Sequence, residues 1–236
     1  MRKNVIYESS AGPIVLDAMK AAFLPRSWTL LVADLHFEKG SYLQSVGNAL
    51  LPAYDTVETL SRLNEVIETY RPEHVVALGD SFHDVGVSER IDFQHVEMLN
   101  DIIRQVRKFT WILGNHDPDI PPALAGERVD HMEADGFLLT HLPVDAGLKQ
   151  TNICGHLHPK ASVTIRRRTL TYPCFACSDT RIIMPSFGAY TGGLFVDNPA
   201  IRRKLGEHKF FMLTAPSGVY PIRSYADRLR DRTCGG

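Results

Sequence analysis

The stretch His74-Val75-Val76-Ala77-Leu78-Gly79-Asp80 sets a short apolar run against an abrupt polar stop. A run of that length, rich in β-branched residues, reads as a strand buried on both faces. Upstream, Trp28-Thr29-Leu30-Leu31-Val32-Ala33 does the same and stops at Asp34. Downstream, Thr110-Trp111-Ile112-Leu113 stops at Gly114-Asn115-His116-Asp117. Between the first two strands, residues 53–70 carry Val57, Leu60, Leu63, Val66 and Ile67 at helical spacing, and Pro72 follows the expected helix end. Between the second and third, Ser88 is placed to cap a helix whose apolar side holds Ile91, Val96, Leu99, Ile102, Ile103 and Val106. Strand, helix, strand, helix, strand predicts an α/β arrangement with a largely parallel sheet.

The second half changes character. Strands are expected at 137–140, 152–154, 161–166, 169–174, 181–184 and 210–213, joined by polar or Gly/Pro segments with few helices. That pattern predicts a second, mainly antiparallel sheet. Two sheets face to face with helices outside, an α/β two-sheet β-sandwich (αββα), satisfies both halves. The 236 residues fit one domain spanning 1–236, because single cores stop growing beyond about 250–300 residues. Hydrophobic residues at 44% and charged residues at 22% exclude a disordered or fibrous chain. Lys+Arg at 26 against Asp+Glu at 27 argues against a polyanion-coating protein but permits a local basic surface. Four cysteines are too few for a disulfide scaffold, and no apolar run reaches a membrane span of roughly 18 residues. A cytoplasmic protein with no membrane partner is expected. The tail Thr233-Cys234-Gly235-Gly236 reads as frayed.

Successive strand ends carry metal-ligand chemistry. They are Asp34-Leu35-His36, Gly79-Asp80, Gly114-Asn115-His116-Asp117, His141 and Gly155-His156-Leu157-His158. In open α/β sheets ligands collect at the carboxyl ends of strands, so segments distant in sequence can converge. Carboxylate, amide oxygen and imidazole without thiolate suit two divalent cations such as Mn, Fe or Zn. Two neighbouring cations need a shared carboxylate against their repulsion, and Asp80 is the natural bridge. Glycine before Asp80, Asn115 and His156 lets the backbone pass close to an ion.

These blocks, in this order, resemble the calcineurin-like metallophosphoesterase superfamily, whose fold is a two-sheet sandwich flanked by helices. The resemblance implies that Asp34, His36, Asp80 and His158 hold one metal, and Asp80, Asn115, His141 and His156 the other. It implies that His116 contacts the phosphate and assists the leaving oxygen, beside Asn115 in substrate binding. Two cations lower the pKa of a shared water toward about 7, supplying hydroxide for in-line attack on phosphorus. The phrases LVADLHFEKG (31–40), ALGDSFHD (77–84), GNHDP (114–118), GHLHPKA (155–161) and PSFGAYTGGL (185–194) are similar to the bacterial ligase-associated metallophosphoesterase family of DNA damage response endonucleases. That likeness implies a manganese-dependent phosphodiesterase cutting single-stranded DNA in repair, with helicase, ligase and exonuclease partners. Thr140-His141-Leu142-Pro143 departs from the Arg-His-Glu-Pro-like phrase expected there, so a flanking charge is lost. The alternative is a phosphatase or pyrophosphatase on nucleotides or other small phosphoesters.

The residues themselves speak less directly for nucleic acid. Arg166-Arg167-Arg168 closes an expected hairpin, Arg202-Arg203-Lys204 lies in a polar stretch, and Arg223, Arg228, Arg230 and Arg232 make the C-terminal region basic. Tyr190 is a stacking candidate and Phe187 reads as core. Asp117 is expected to orient His116 or to cap a turn. His83 and Asp84 sit close to Asp80, either as substrate contacts or closing the turn. Cys174 and Cys177 lack a second ligand pair and read as packed thiols. His74, His95, His131 and His208 belong to no constellation.

Overall fold

The computed structural model describes residues 4–45, 54–84, 86–145 and 150–222. The C-terminal arginines from Arg223 onward and the expected frayed tail lie outside the described residues. The first sheet runs β1 (Val5–Glu8), β2 (Pro13–Leu16), β3 (Ala22–Leu24), β4 (Thr29–Val32), β5 (His74–Leu78), β6 (Lys108–Ile112) and β7 (Glu127–Val129), in that spatial order. From β4 to β7 the pairing is parallel. From β1 to β4 it is antiparallel, so the expected parallel sheet holds for three of its six strand pairings. Short strands joined by tight turns, as in β1–β3, carry no crossover helix, and antiparallel pairing is what such links allow.

The second sheet is built from β8 (His131–Ala134), β9 (Phe137–Thr140), β10 (Thr151–Cys154), β12 (Arg168–Ser178), β13 (Arg181–Ile183), β14 (Lys209–Ala215) and β15 (Gly218–Ile222). Their spatial order is β15-β14-β12-β13-β10-β9-β8, and β11 (Lys160–Ile165) pairs only with β12. Its centre, β9-β10-β13, is parallel and every other pairing is antiparallel, so the sheet is mainly antiparallel, as expected, around a parallel core.

Alternation within the strands explains the layers. Leu31, Val76, Leu78 and Ile112 face the second sheet and meet Phe137, Leu139, Ile153, Phe175 and Ile182. Leu30, Val32, Val75, Ala77 and Trp111 face the other way, onto helices α2 (Asp55–Tyr70) and α4 (Phe93–Arg104). Each strand is apolar throughout because it is covered on both faces, and each fully buried Leu, Val or Ile stabilises by roughly 1.5–3 kcal/mol. On the far side, helix α5 (Pro199–Leu205) lays Ile201 and Leu205 on Cys154, Ala176, Ile183 and Phe211. Helix, sheet, sheet, helix is the resulting order of layers.

Helix α2 buries Leu60, Leu63, Val66 and Ile67, while Val57, expected on that face, is exposed. It ends at Arg71, in left-handed conformation (φ 44°), one residue before Pro72. The helix expected from Ser88 onward is two pieces. Ser88 lies inside the short α3 (Val87–Arg90), the chain is extended at Ile91, and Asp92 caps α4 by accepting from the Gln94 N–H at 2.8 Å. The remaining helix, α1 (Lys39–Ser45), follows the loop after β4.

Candidate active site

The carboxyl ends of β4, β5, β6, β9 and β10 open onto one edge of the sandwich. Two residue groups assemble there. Asp34, His36 and His158 bring one ligand atom each within 4.8 Å of one another, and Asp80, His141 and His156 do the same. The first group draws on β4 of one sheet and the segment after β10 of the other. The second draws on β5 and on the ends of β9 and β10. His141 links them, with Nε2 3.3 Å from Asp80 Oδ1 and Nδ1 3.8 Å from Asp34 Oδ1.

Backbone contacts aim the carboxylates. Asp34 accepts from the His156 N–H at 3.0 Å, and its carbonyl accepts from Ser186 Oγ at 2.8 Å. Asp80 Oδ1 accepts from the His116 N–H at 2.9 Å. Gly114 and Gly155 permit this packing: a Cβ on Gly114 would strike the Asp80 backbone, and one on Gly155 would strike the Asp34 carboxylate. Asp34, His36, Asp80, His156 and His158 all take positive φ, from 42° to 72°. Asp and His are the non-glycine types that tolerate this region better than most, although it still stores strain.

The donor set fits divalent cations. His141 Nδ1 lies 3.1 Å from the Leu78 carbonyl, which can only accept, so Nδ1 carries the proton and Nε2 presents its lone pair. That lone pair faces Asn115 Oδ1 at 2.9 Å and Asp80 Oδ1 at 3.3 Å. Three acceptors converging on one point repel unless a cation or a proton sits among them. His36 Nε2 and His158 Nε2 lie 3.3 Å apart, with Asp34 Oδ1 3.3 Å from the latter. Burial, joined by the facing His158, lowers the His36 pKa to about 2, so this imidazole stays a neutral donor. Burial opposes ionisation of Asp80, but where a proton rather than a cation sits on Nε2, the His141 hydrogen bond and charge outweigh it and hold the carboxyl at about 2. No thiolate enters either group: Cys154, Cys174 and Cys177 are free, buried in strands, and pushed up by that burial.

His116 stands outside both groups and is exposed. Its ring centroid lies 5.7 Å from that of His36, and Nδ1 donates to the His83 carbonyl at 3.0 Å, which leaves Nε2 free toward solvent. The His83 ring stacks on it at 5.8 Å. Asp117 does not orient His116. Its carboxylate accepts the N–H groups of Ser81 (2.6 Å), Phe82 (3.1 Å) and Gly114 (3.0 Å), tying the loops after β5 and β6 together. Burial pushes its pKa up to about 7 against those hydrogen bonds, with Asp80 adding to the rise.

Other assignments resolve without chemistry. Phe187 is buried core, and Gly188 N–H donates to the Asp34 carbonyl, so the 185–194 segment supports the site from below. Tyr190 is exposed. Asp84 holds Arg90 in a paired contact at 2.6 and 3.0 Å. His74 bonds Thr110 at 2.8 Å. His95, which formed no pattern in the sequence, pairs at 2.7 Å with buried Glu38 on the loop beyond His36. An open groove of about 620 Å³ lies elsewhere, beside Lys20 and Arg62, which hold the carbonyls of Gly188 and Phe187.

A helix-flanked sandwich with paired Asp/His groups at one edge defines a metal-dependent phosphoesterase. The profile of the calcineurin-like phosphoesterases matches residues 28–188, and the chain belongs to that family. The crystal structure of the nuclease MPE from Pseudomonas putida superposes with a TM-score of 0.75 at 28% identity, covering 93% of this chain and all (100%) of that one. YfcE, a phosphoesterase from E. coli, gives a TM-score of 0.42 at 14% identity over 82% of this chain and 97% of that one. No curated protein matches the chain. The two residue groups suggest a dinuclear divalent-metal site.

Proposed function

We propose that this chain is a phosphodiesterase that cuts DNA, with single-stranded DNA as the preferred substrate and manganese as the working metal. The observation that carries the reading is the pair of three-residue groups with His116 standing free beside them. Asp34, His36 and His158 would hold one cation and His141, His156 and Asn115 the other, with Asp80 available to both. When bound, the cations neutralise phosphate charge and bring the pKa of water toward about 7. His116 does the chain's own acid work. Its Nδ1 is committed to the His83 carbonyl, so Nε2 is the atom that gives a proton to the leaving oxygen. Asn115, exposed beside it, contacts the phosphate. Oxygen and imidazole donors without thiolate suit manganese, and Fe and Zn share the ligand set. The 28% likeness to a nuclease across nearly the whole chain supports nucleic acid as substrate. The repair setting, a cytoplasmic location, one domain over 1–236, and helicase, ligase and exonuclease partners complete this reading. Among the described residues no helix is long and apolar enough to cross a membrane.

The test offers protein loaded with manganese, iron or zinc to single-stranded DNA, duplex DNA, bis-p-nitrophenyl phosphate and p-nitrophenyl phosphate. Hydrolysis of single-stranded DNA and the model diester, fastest with manganese and abolished in Asp80→Ala, is expected. Turnover of the monoester alone would overturn the reading in favour of a small-molecule phosphatase.

A further inference from the structure

Strand β12 is longer than the sheet it belongs to. Only Cys174–Ser178 pair with β14, and only Ala176 and Cys177 with β13. The preceding residues, Arg168–Pro173, pair with β11 alone, over Lys160–Ile165. Strand β13 is parallel to β10 and antiparallel to β12, so this overhang projects past the carboxyl ends of β10 and β13. That is the edge at which His156 and His158 emerge, and β11 begins two residues after His158. The result is a two-stranded arm rising from the rim of the site. At about 3.3 Å per residue its six-residue strands reach about 20 Å.

The arm is footed in apolar contacts. Ala161, Val163 and Tyr172 pack with Cys174 and Leu213. Its other face is a row of hydroxyls, Ser162 with Thr171 at 2.7 Å and Thr164 with Thr169 at 3.2 Å. The tip is Arg166-Arg167, both in left-handed conformation (φ 48° and 66°), followed by Arg168. A two-residue turn of this kind favours Asn-Gly, and arginine at both positions costs stability that packing does not return. All three arginines are exposed, and among the described residues none of their side chains makes a hydrogen bond or ion pair. By contrast, Arg62, Arg90 and Arg181 are each bound to a carboxylate.

We infer that this arm is a clamp for the phosphate backbone of the DNA strand being cut, with Arg166, Arg167 and Arg168 as its grip. The inference rests on the nuclease reading above and extends it from the reacting phosphate to others along the strand. With one phosphate per strand for about every 3.4 Å of duplex axis, and a longer spacing in an extended single strand, the grip lies several nucleotides from the cut. Strained, unpaired cations and a hydroxyl face match a polyanionic strand better than an apolar partner.

The test is the full-length triple variant Arg166→Asn, Arg167→Gly, Arg168→Ser, which keeps the turn in its preferred chemistry. On a single-stranded 30-mer the KM should rise about tenfold or more, and the slope of log affinity against log salt should flatten by about 2, three contacts at about 0.7 each. Turnover of bis-p-nitrophenyl phosphate, too small to reach the arm, should stay as in the unaltered protein. An unchanged salt slope in a protein that still cuts DNA overturns the arm and leaves the nuclease reading intact. Unaltered protein that binds no DNA overturns both. Loss of binding to phosphatidylserine vesicles with DNA binding preserved would assign the arm to a membrane surface instead and overturn the clamp.

Discussion

His116 shows how one side chain acquires its role from a neighbour's backbone. The His83 carbonyl can only accept, so it fixes which ring nitrogen faces out. His116→Ala should therefore lower turnover by about 10²–10⁴-fold, the usual worth of a general acid. Elemental analysis of that variant should still find two metal ions per chain, because no atom of His116 belongs to either metal group. Loss of both ions would instead make it a ligand. The motif Gly-Asn-His-Asp made His116 visible in the sequence. Its partner was not, because a carbonyl has no residue signature. His95 and Glu38 escaped for a related reason: their pairing joins positions 57 apart, with nothing local to mark it.

At the scale of elements, the loops after β5 and β6 are held to each other by Asp117 and by His116, whose N–H and Nδ1 reach Asp80 and the His83 carbonyl. Asp117→Ala would leave two buried N–H groups and the half-buried one of Gly114 without an acceptor, for about 2–3 kcal/mol in all at about 1 kcal/mol each. Asp117→Asn keeps an accepting oxygen and should recover part of that loss. Urea unfolding of the two variants separates these outcomes, and equal stabilities would deny the stapling role. The elements best read from sequence were β4, β5 and β6, whose continuous apolar runs report burial on both faces. Strands β1–β3 went unread because short hairpin strands leave little periodicity. Helix α5 was hidden behind Arg202-Arg203-Lys204, although Asn198 capping Ala200 with Pro199 in the first turn was a start signal in plain view. The break between α3 and α4 turned on Asp92 being a better cap than Ser88, a competition that spacing alone cannot decide.

For the molecule as a whole, each metal group takes ligands from both sheets: Asp34 and His36 with His158, Asp80 with His141 and His156. Cations bound by both groups would therefore lock the sandwich along one edge. At about 100-fold excess over Kd one such ion adds about 2.7 kcal/mol. Chelation should then lower Tm by roughly 5–10 °C for a chain of this size, by differential scanning calorimetry. Asp80→Ala should melt at nearly the same temperature with or without chelator, and an unchanged Tm in the unaltered protein would contradict a cross-sheet metal lock. The backbone at Asp34, His36, Asp80, His156 and His158 adds a last consequence. Left-handed geometry costs an L-residue roughly 1–2 kcal/mol, and glycine is free of it. With the metals stripped, glycine at His36 or His158, whose side chains accept no backbone N–H, would relieve that cost and raise the apo protein's Tm, whereas the loaded protein would lose part of its lock.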